Sequence, residues 1–68
     1  MVYVDTEYEG RRVEIVTLDD PWTSLKPGDQ GIYKYAIENV DLKQHVIDWD
    51  SGSRLMLLDG IDSFRFVD

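Results

Sequence analysis

"HVIDWDSGSRLMLL", residues 45–58, places His45, Ile47 and Trp49 on one side of an extended chain and Val46 and Asp48 on the other. Successive side chains of a strand point to opposite faces, so this period of two marks a half-buried strand. After "DSG", residues 50–52, the alternation resumes with Leu55 and Leu57. Gly52 stands where a tight hairpin needs a positive φ, which makes the two runs expected antiparallel neighbours. The stretch reads as β structure, not helix.

The same period recurs on either side of it. In "RRVEIVTL" Val13 and Ile15 oppose Arg12 and Glu14; in "GIYKYAIEN" Tyr33, Tyr35 and Ile37 oppose Lys34 and Glu38; in "SFRFV" Phe64 and Phe66 align. Five short strands, rich in β-branched and aromatic residues, are predicted in all. In "KPGDQG" Pro27 sets φ and Gly28 relieves it, a turn that leads into the strand at Gly31. "LDGID", residues 58–62, is short enough for one 3₁₀ turn before the last strand. "ENVDLKQ", residues 38–44, has no glycine and reads either as a longer hairpin loop or as a continued twisted ribbon. The predicted fold is all-β: a small SH3-like five-stranded barrel over residues 11–68, with a long loop after its first strand and the 3₁₀ turn before its last. An OB-type barrel would need a longer chain, and an open meander that dimerises is the other alternative. Residues 1–10 form an extension whose "VYVDTEY" is able to add a strand, to its own barrel or to a neighbour's edge.

Composition narrows the activities. Sixty-eight residues make one domain with a small core, and without cysteine neither a disulfide nor a thiolate zinc site supports it. A partner covering apolar surface, a second copy included, would relieve that shortage. Fourteen Asp and Glu against seven Lys and Arg leave a formal charge of −7. That sign repels phosphate backbones and anionic membranes, which disfavours both as partners. The N-terminal "MVYVDTEYEG" lacks the basic start and apolar run of a signal peptide, so a cytoplasmic location is expected.

The motif series carries a resemblance. Asp19, Asp20, Pro21, Trp22 and Thr23, then Leu25, Lys26, Pro27, Gly28 and Gly31, then Trp49, Asp50, Gly52, Ser53, Leu55 and Leu57, then Gly60, Asp62 and Phe64 stand in this order. The pattern, from Arg12 to Val67, resembles a family of small proteins of phages and mobile elements known only as a domain of unknown function. The resemblance implies an SH3-like barrel and a phage or prophage setting, with no known activity. "KPGDQG" alone is also similar to the turn of KOW-type nucleic-acid-associated barrels. The chain departs from the family at Asp59, where proline is usual, at Ile61, where a polar residue is common, and over residues 38–44, a segment longer than the usual turn.

No catalytic constellation is expected. The one histidine, His45, falls on a packed strand face, and Ser24, Ser51, Ser53 and Ser63 have no second base to serve them. Asp48 and Asp50 begin something like a calcium loop, but Gly52 occupies a ligand position and the closing glutamate is missing. Asp19 and Asp20, adjacent in an extended segment, point apart and are better read as turn-forming acceptors around Pro21. No enzyme activity, cofactor or metal is therefore predicted.

Binding is the remaining class. The stretch "DDPWTSLK", residues 19–26, is stiffened by proline and carries Trp22 outside any alternating strand. Two placements are open for Trp22: an exposed anchor for a partner, or a lid folded over one barrel end. Trp49, in register with Ile47, is expected in the core. The candidate binding residues are Asp19, Asp20, Trp22, Thr23, Lys26, Tyr33 and Tyr35, with a bacterial protein as partner and the two tyrosines furnishing part of an aromatic groove. The alternative is an acidic nucleic-acid mimic that inhibits a host nucleic-acid or defence enzyme. Direct nucleic-acid binding would need a local patch at Arg11, Arg12 and Lys34 to override the global sign.

Overall fold

The computed structural model describes residues 2–68; Met1, the first residue of the expected extension, lies outside the described residues. The strands are β1 (Tyr3–Asp5), β2 (Arg12–Thr17), β3 (Gln30–Glu38), β4 (Lys43–Trp49), β5 (Leu57–Leu58) and β6 (Ser63–Phe66). They form one six-stranded sheet in the order β5-β4-β3-β2-β6, with β1 on β3, and every strand pair is antiparallel. No helix occurs among the described residues. The five predicted strands are all present, and β1 is the extension, added to its own sheet.

β3 organises the molecule. Its first half pairs with β2 (Arg12↔Ile32, Glu14↔Gln30) and its second half with β1 (Tyr3↔Glu38, Asp5↔Ala36). β1 and β2 are thus one interrupted partner of β3, rejoined where Gly10 N–H donates to Tyr33 O and Tyr33 N–H to Arg11 O, both at 2.8 Å. The sheet also bends back on itself. His45 on β4 and Phe64 on β6 are separated by β3 and β2, roughly 14 Å at about 4.8 Å per flat strand step. Their ring centroids are 4.9 Å apart. The sheet does not close: β5 and β6 stand at opposite ends of the strand order and share no ladder.

Inside the bend lie Val13, Ile15, Leu25, Tyr33, Ala36, Ile47, Trp49 and Leu57, with Leu18, Leu55, Phe64 and Phe66 packed against them. The expected faces hold on β2, β4 and β6. Gly31 on β3 is paired on one side with Val13 of β2 and on the other with Trp49 of β4. A Cβ there would meet Asp48 O at 2.7 Å and both Ile47 Cγ2 and Trp49 Cα at 2.8 Å.

Two local expectations are corrected and two are filled in. Tyr33, Tyr35 and Ile37 do not share a face: Tyr33 pairs with Ile47 but Tyr35 with Val46, so a bulge inserts one residue and reverses the parity. Tyr33 and Ala36 point inward, and Tyr35 lies on the outer face. Residues 58–62 form a tight turn, not a 3₁₀ turn, because Gly60 at φ +81 leaves the right-handed region that a 3₁₀ helix needs. The "DSG" turn does have Gly52 at φ +86, yet the β4–β5 ladder resumes only at His45↔Leu57. Between them the Trp49 indole N–H donates to Leu55 O at 2.8 Å, taking the place of a ladder bond. Between the two open readings of residues 38–44 the structure has the hairpin: the β3–β4 ladder runs to Glu38↔Lys43 and residues 39–42 form the loop. The Asn39 side-chain oxygen accepts from Asp41 N–H and Leu42 N–H at 3.3 and 3.1 Å, supplying by an amide what other turns obtain from glycine.

Candidate functional site

Loop 19–26 leaves the sheet after β2 and is tied at several points. Asp62 in the turn before β6 accepts from Asp19 N–H at 2.8 Å through one carboxylate oxygen and from Leu58 N–H at 2.9 Å through the other. Within the loop, Asp20 Oδ1 accepts from Trp22 N–H at 2.9 Å and Thr23 Oγ1 from Leu25 N–H at 3.2 Å. These are the local acceptor roles that Asp and Thr adopt in turns. Leu25 plugs the loop into the core, while Lys26 N–H donates to Asp29 Oδ2 at 3.0 Å and Gly28 N–H to Ile15 O at 2.9 Å. Trp22 does not fold down as a lid. Its residue surface is 93% exposed, held out by a backbone that is pinned on both sides.

Of the seven candidate binding residues, the structure brings Asp19, Asp20, Trp22, Thr23 and Lys26 together on this loop. Tyr33 is separated from them: it is 2% exposed, and burial, followed by the nearby Asp5, pushes its phenol up to about 12. Tyr35 lies elsewhere, in an outer-face groove of about 550 Å³ with Lys34, Val46, Asp48, Arg54 and Met56. A second groove of about 400 Å³ at the base of the loop is lined by Asp19, Asp20, Arg54, Leu55, Met56 and Leu58. Arg54 and Met56 line both, so the loop and the outer face form one continuous surface. Neither residue stands out in the sequence, where the one signal for them is alternation with the inward Leu55 and Leu57.

His45 is buried and fully engaged. Tyr33 O–H lies 2.7 Å from His45 Nδ1, and His45 Nε2 lies 3.0 Å from Asp59 Oδ1. The tautomer with its proton on Nε2 satisfies all three groups. A cavity of about 360 Å³ opens beside this chain, and there the Thr17 and Ser63 hydroxyls bond each other at 2.6 Å. Both imidazole nitrogens already have partners, so the chain works as a tie between β3, β4 and the turn after β5. Among the described residues no group of His, Asp and Glu is placed to hold a metal ion.

The surface charges are arranged unevenly. Arg11 pairs with Asp68, Arg12 with Asp50 and Arg65 with Glu14, each at 2.8 Å. Hydrogen bonds from Gln30 and Arg65 hold the Glu14 carboxyl below its ordinary range, and those from Arg11 do the same for Asp68. Arg11 and Arg12 are therefore matched by carboxylates of this chain, which removes two members of the basic patch that nucleic-acid binding would need. No helix among the described residues is long and apolar enough to cross a membrane.

Fold and surface together define a small antiparallel β domain that presents a tethered loop with an exposed tryptophan. The chain belongs to a family described as a domain of unknown function (DUF4314), whose model matches residues 3–67. The match takes in β1, which the sequence resemblance had left outside. No curated protein and no solved structure matches the chain.

Proposed function

We propose that this chain is a non-catalytic protein-interaction module, an SH3-like barrel with an open seam, that binds its partner through loop 19–26. The observation that carries this reading is Trp22, 93% exposed on a loop tied at Asp19, Leu25 and Lys26. An indole held in water on a pre-ordered backbone offers a large contact area with little conformational entropy to lose. Burial in a partner pocket, with Asp19 and Asp20 facing basic residues at the rim, would make it a hot spot of about 2 kcal/mol or more. The barrel reading is supported by the strand order, the bend and the turn that precedes β6. The setting, a phage or prophage accessory protein acting on a bacterial protein in the cytoplasm, rests on the motif resemblance.

The test is affinity capture from a bacterial lysate at low and high salt, with the wild-type chain and Trp22→Ala as paired baits. A protein retained at high salt by the wild type and lost with the variant is the expected result. Equal capture of one partner by both baits would reject the loop as the binding surface. If that partner were a nucleic-acid enzyme released by salt, acidic mimicry would replace the present reading.

A further inference from the structure

Resting on the reading of loop 19–26 as a binding surface, we infer that one occupant of the outer-face groove is the same loop of a second copy of this chain. Trp22, with Asp19 and Asp20 just before it in the chain, would insert beside Lys34 and Arg54. The groove and the loop complement each other in chemistry. Tyr35, Val46 and Met56 provide the apolar lining, in a volume of about 550 Å³ that lies within the usual range for a side-chain or ligand pocket.

The charge pattern points the same way. In a chain of formal charge −7, Arg11, Arg12 and Arg65 are paired with the chain's own carboxylates. Among the described residues Lys26, Lys34, Lys43 and Arg54 make no ion pair, and two of these, Lys34 and Arg54, line this groove, where Asp48 is the one carboxylate. The incoming segment brings an indole and two acids to a site that offers apolar walls and two cations.

Contiguity sets the symmetry. Arg54 and Met56 border both the groove and the base of the loop, so knob and hole lie side by side on one face. Two such faces can engage reciprocally about a two-fold axis, which closes the assembly as a dimer instead of a filament. Long-range repulsion between two acidic copies opposes association, so dimerisation is expected at high protein concentration and not in dilute solution.

Sedimentation velocity of the full chain across a wide concentration range, alongside tryptophan fluorescence, tests this. The wild type should move from monomer to dimer as its emission shifts to the blue; Trp49 is already buried, so that shift reports Trp22. Trp22→Ala and the double variant Lys34→Glu with Arg54→Glu should each weaken dimerisation at least tenfold. An equimolar mixture of the two should recover a heterodimer, since one intact knob then meets one intact groove. A chain monomeric at every concentration, or a dimer indifferent to both variants, would overturn the inference. A monomeric chain whose lysate partner is lost with Trp22→Ala would leave the loop reading standing and defeat only the second copy as occupant. Melting curves of each variant, expected to match the wild type, check that the exposed substitutions leave the fold intact.

Discussion

Trp49 and Trp22 are the same side chain under opposite conditions. Trp49 is 2% exposed at the end of β4, its ring among the core residues and its N–H on Leu55 O. Trp22 is 93% exposed, and the bonds around it are made by backbone groups to Asp20, Asp29 and Asp62, not by its indole. In the first region the side chain holds the backbone; in the second the backbone holds out the side chain. An apolar ring of this size contributes to stability where it is enclosed and is available for recognition where it is not.

The largest expected effect lies on the Trp49 side. Trp49→Ala should cost about 3–5 kcal/mol, comparable to the whole stability of a domain this small. Gly31→Ala presses a methyl group against the same wall, where backbone cannot yield, and should be similarly damaging. Urea unfolding followed by circular dichroism measures both; a cooperative transition of unchanged midpoint in either would break the contrast.

The next effect is read by pH. The Tyr33 phenol has its ordinary value at 10.0 and is raised to about 12 in the fold. A raised folded value means that the neutral form is favoured by folding, so this stabilisation is complete below pH 10 and is lost as pH rises toward about 12. Melting temperature should fall over that window together with the appearance of tyrosinate absorbance. Tyr33→Phe should flatten the dependence, while losing the bond to His45.

Asp62 joins the two regions. Asp62→Ala leaves Leu58 N–H and Asp19 N–H without their acceptor, at a cost of about 1–3 kcal/mol. It should also reduce partner capture although Trp22 is untouched, because the loop loses its tie. Full retention of capture at reduced stability would show that loop rigidity is not needed.

Smallest of all on stability is Trp22→Ala, expected within about 0.5 kcal/mol of the wild type. A drop of several kcal/mol in denaturant unfolding would place the indole in the core and dissolve the contrast between the two tryptophans.

Much of the scaffold was legible because strand alternation is a local property. Val13 and Ile15, His45 with Ile47 and Trp49, and Phe64 with Phe66 all face the core as their spacing predicts. β3 defeated the same reasoning at Lys34 and Tyr35, since a bulge is set by how the opposite strand fits and leaves the alternating pattern of the sequence unchanged. His45 was legible as a packed residue, but its bonds to Tyr33 and Asp59 join residues from three parts of the chain. On the candidate surface the loop was visible from its proline, glycine and acids. Arg54 and Met56 were not, because their importance comes from what stands next to them in space.

By itself the sequence determined the β class, most strand faces, the positive φ at Gly52 and the burial of Trp49. These follow from side-chain period and turn stereochemistry, which act over a few residues. Only the tertiary structure decided that β1 joins β3, that Tyr35 faces outward, that Trp22 stands in water, and that among the described residues Arg11, Arg12 and Arg65 are matched by carboxylates while Lys26, Lys34, Lys43 and Arg54 are not. Each depends on which distant segment arrives alongside, and burial and charge pairing are properties of that arrival.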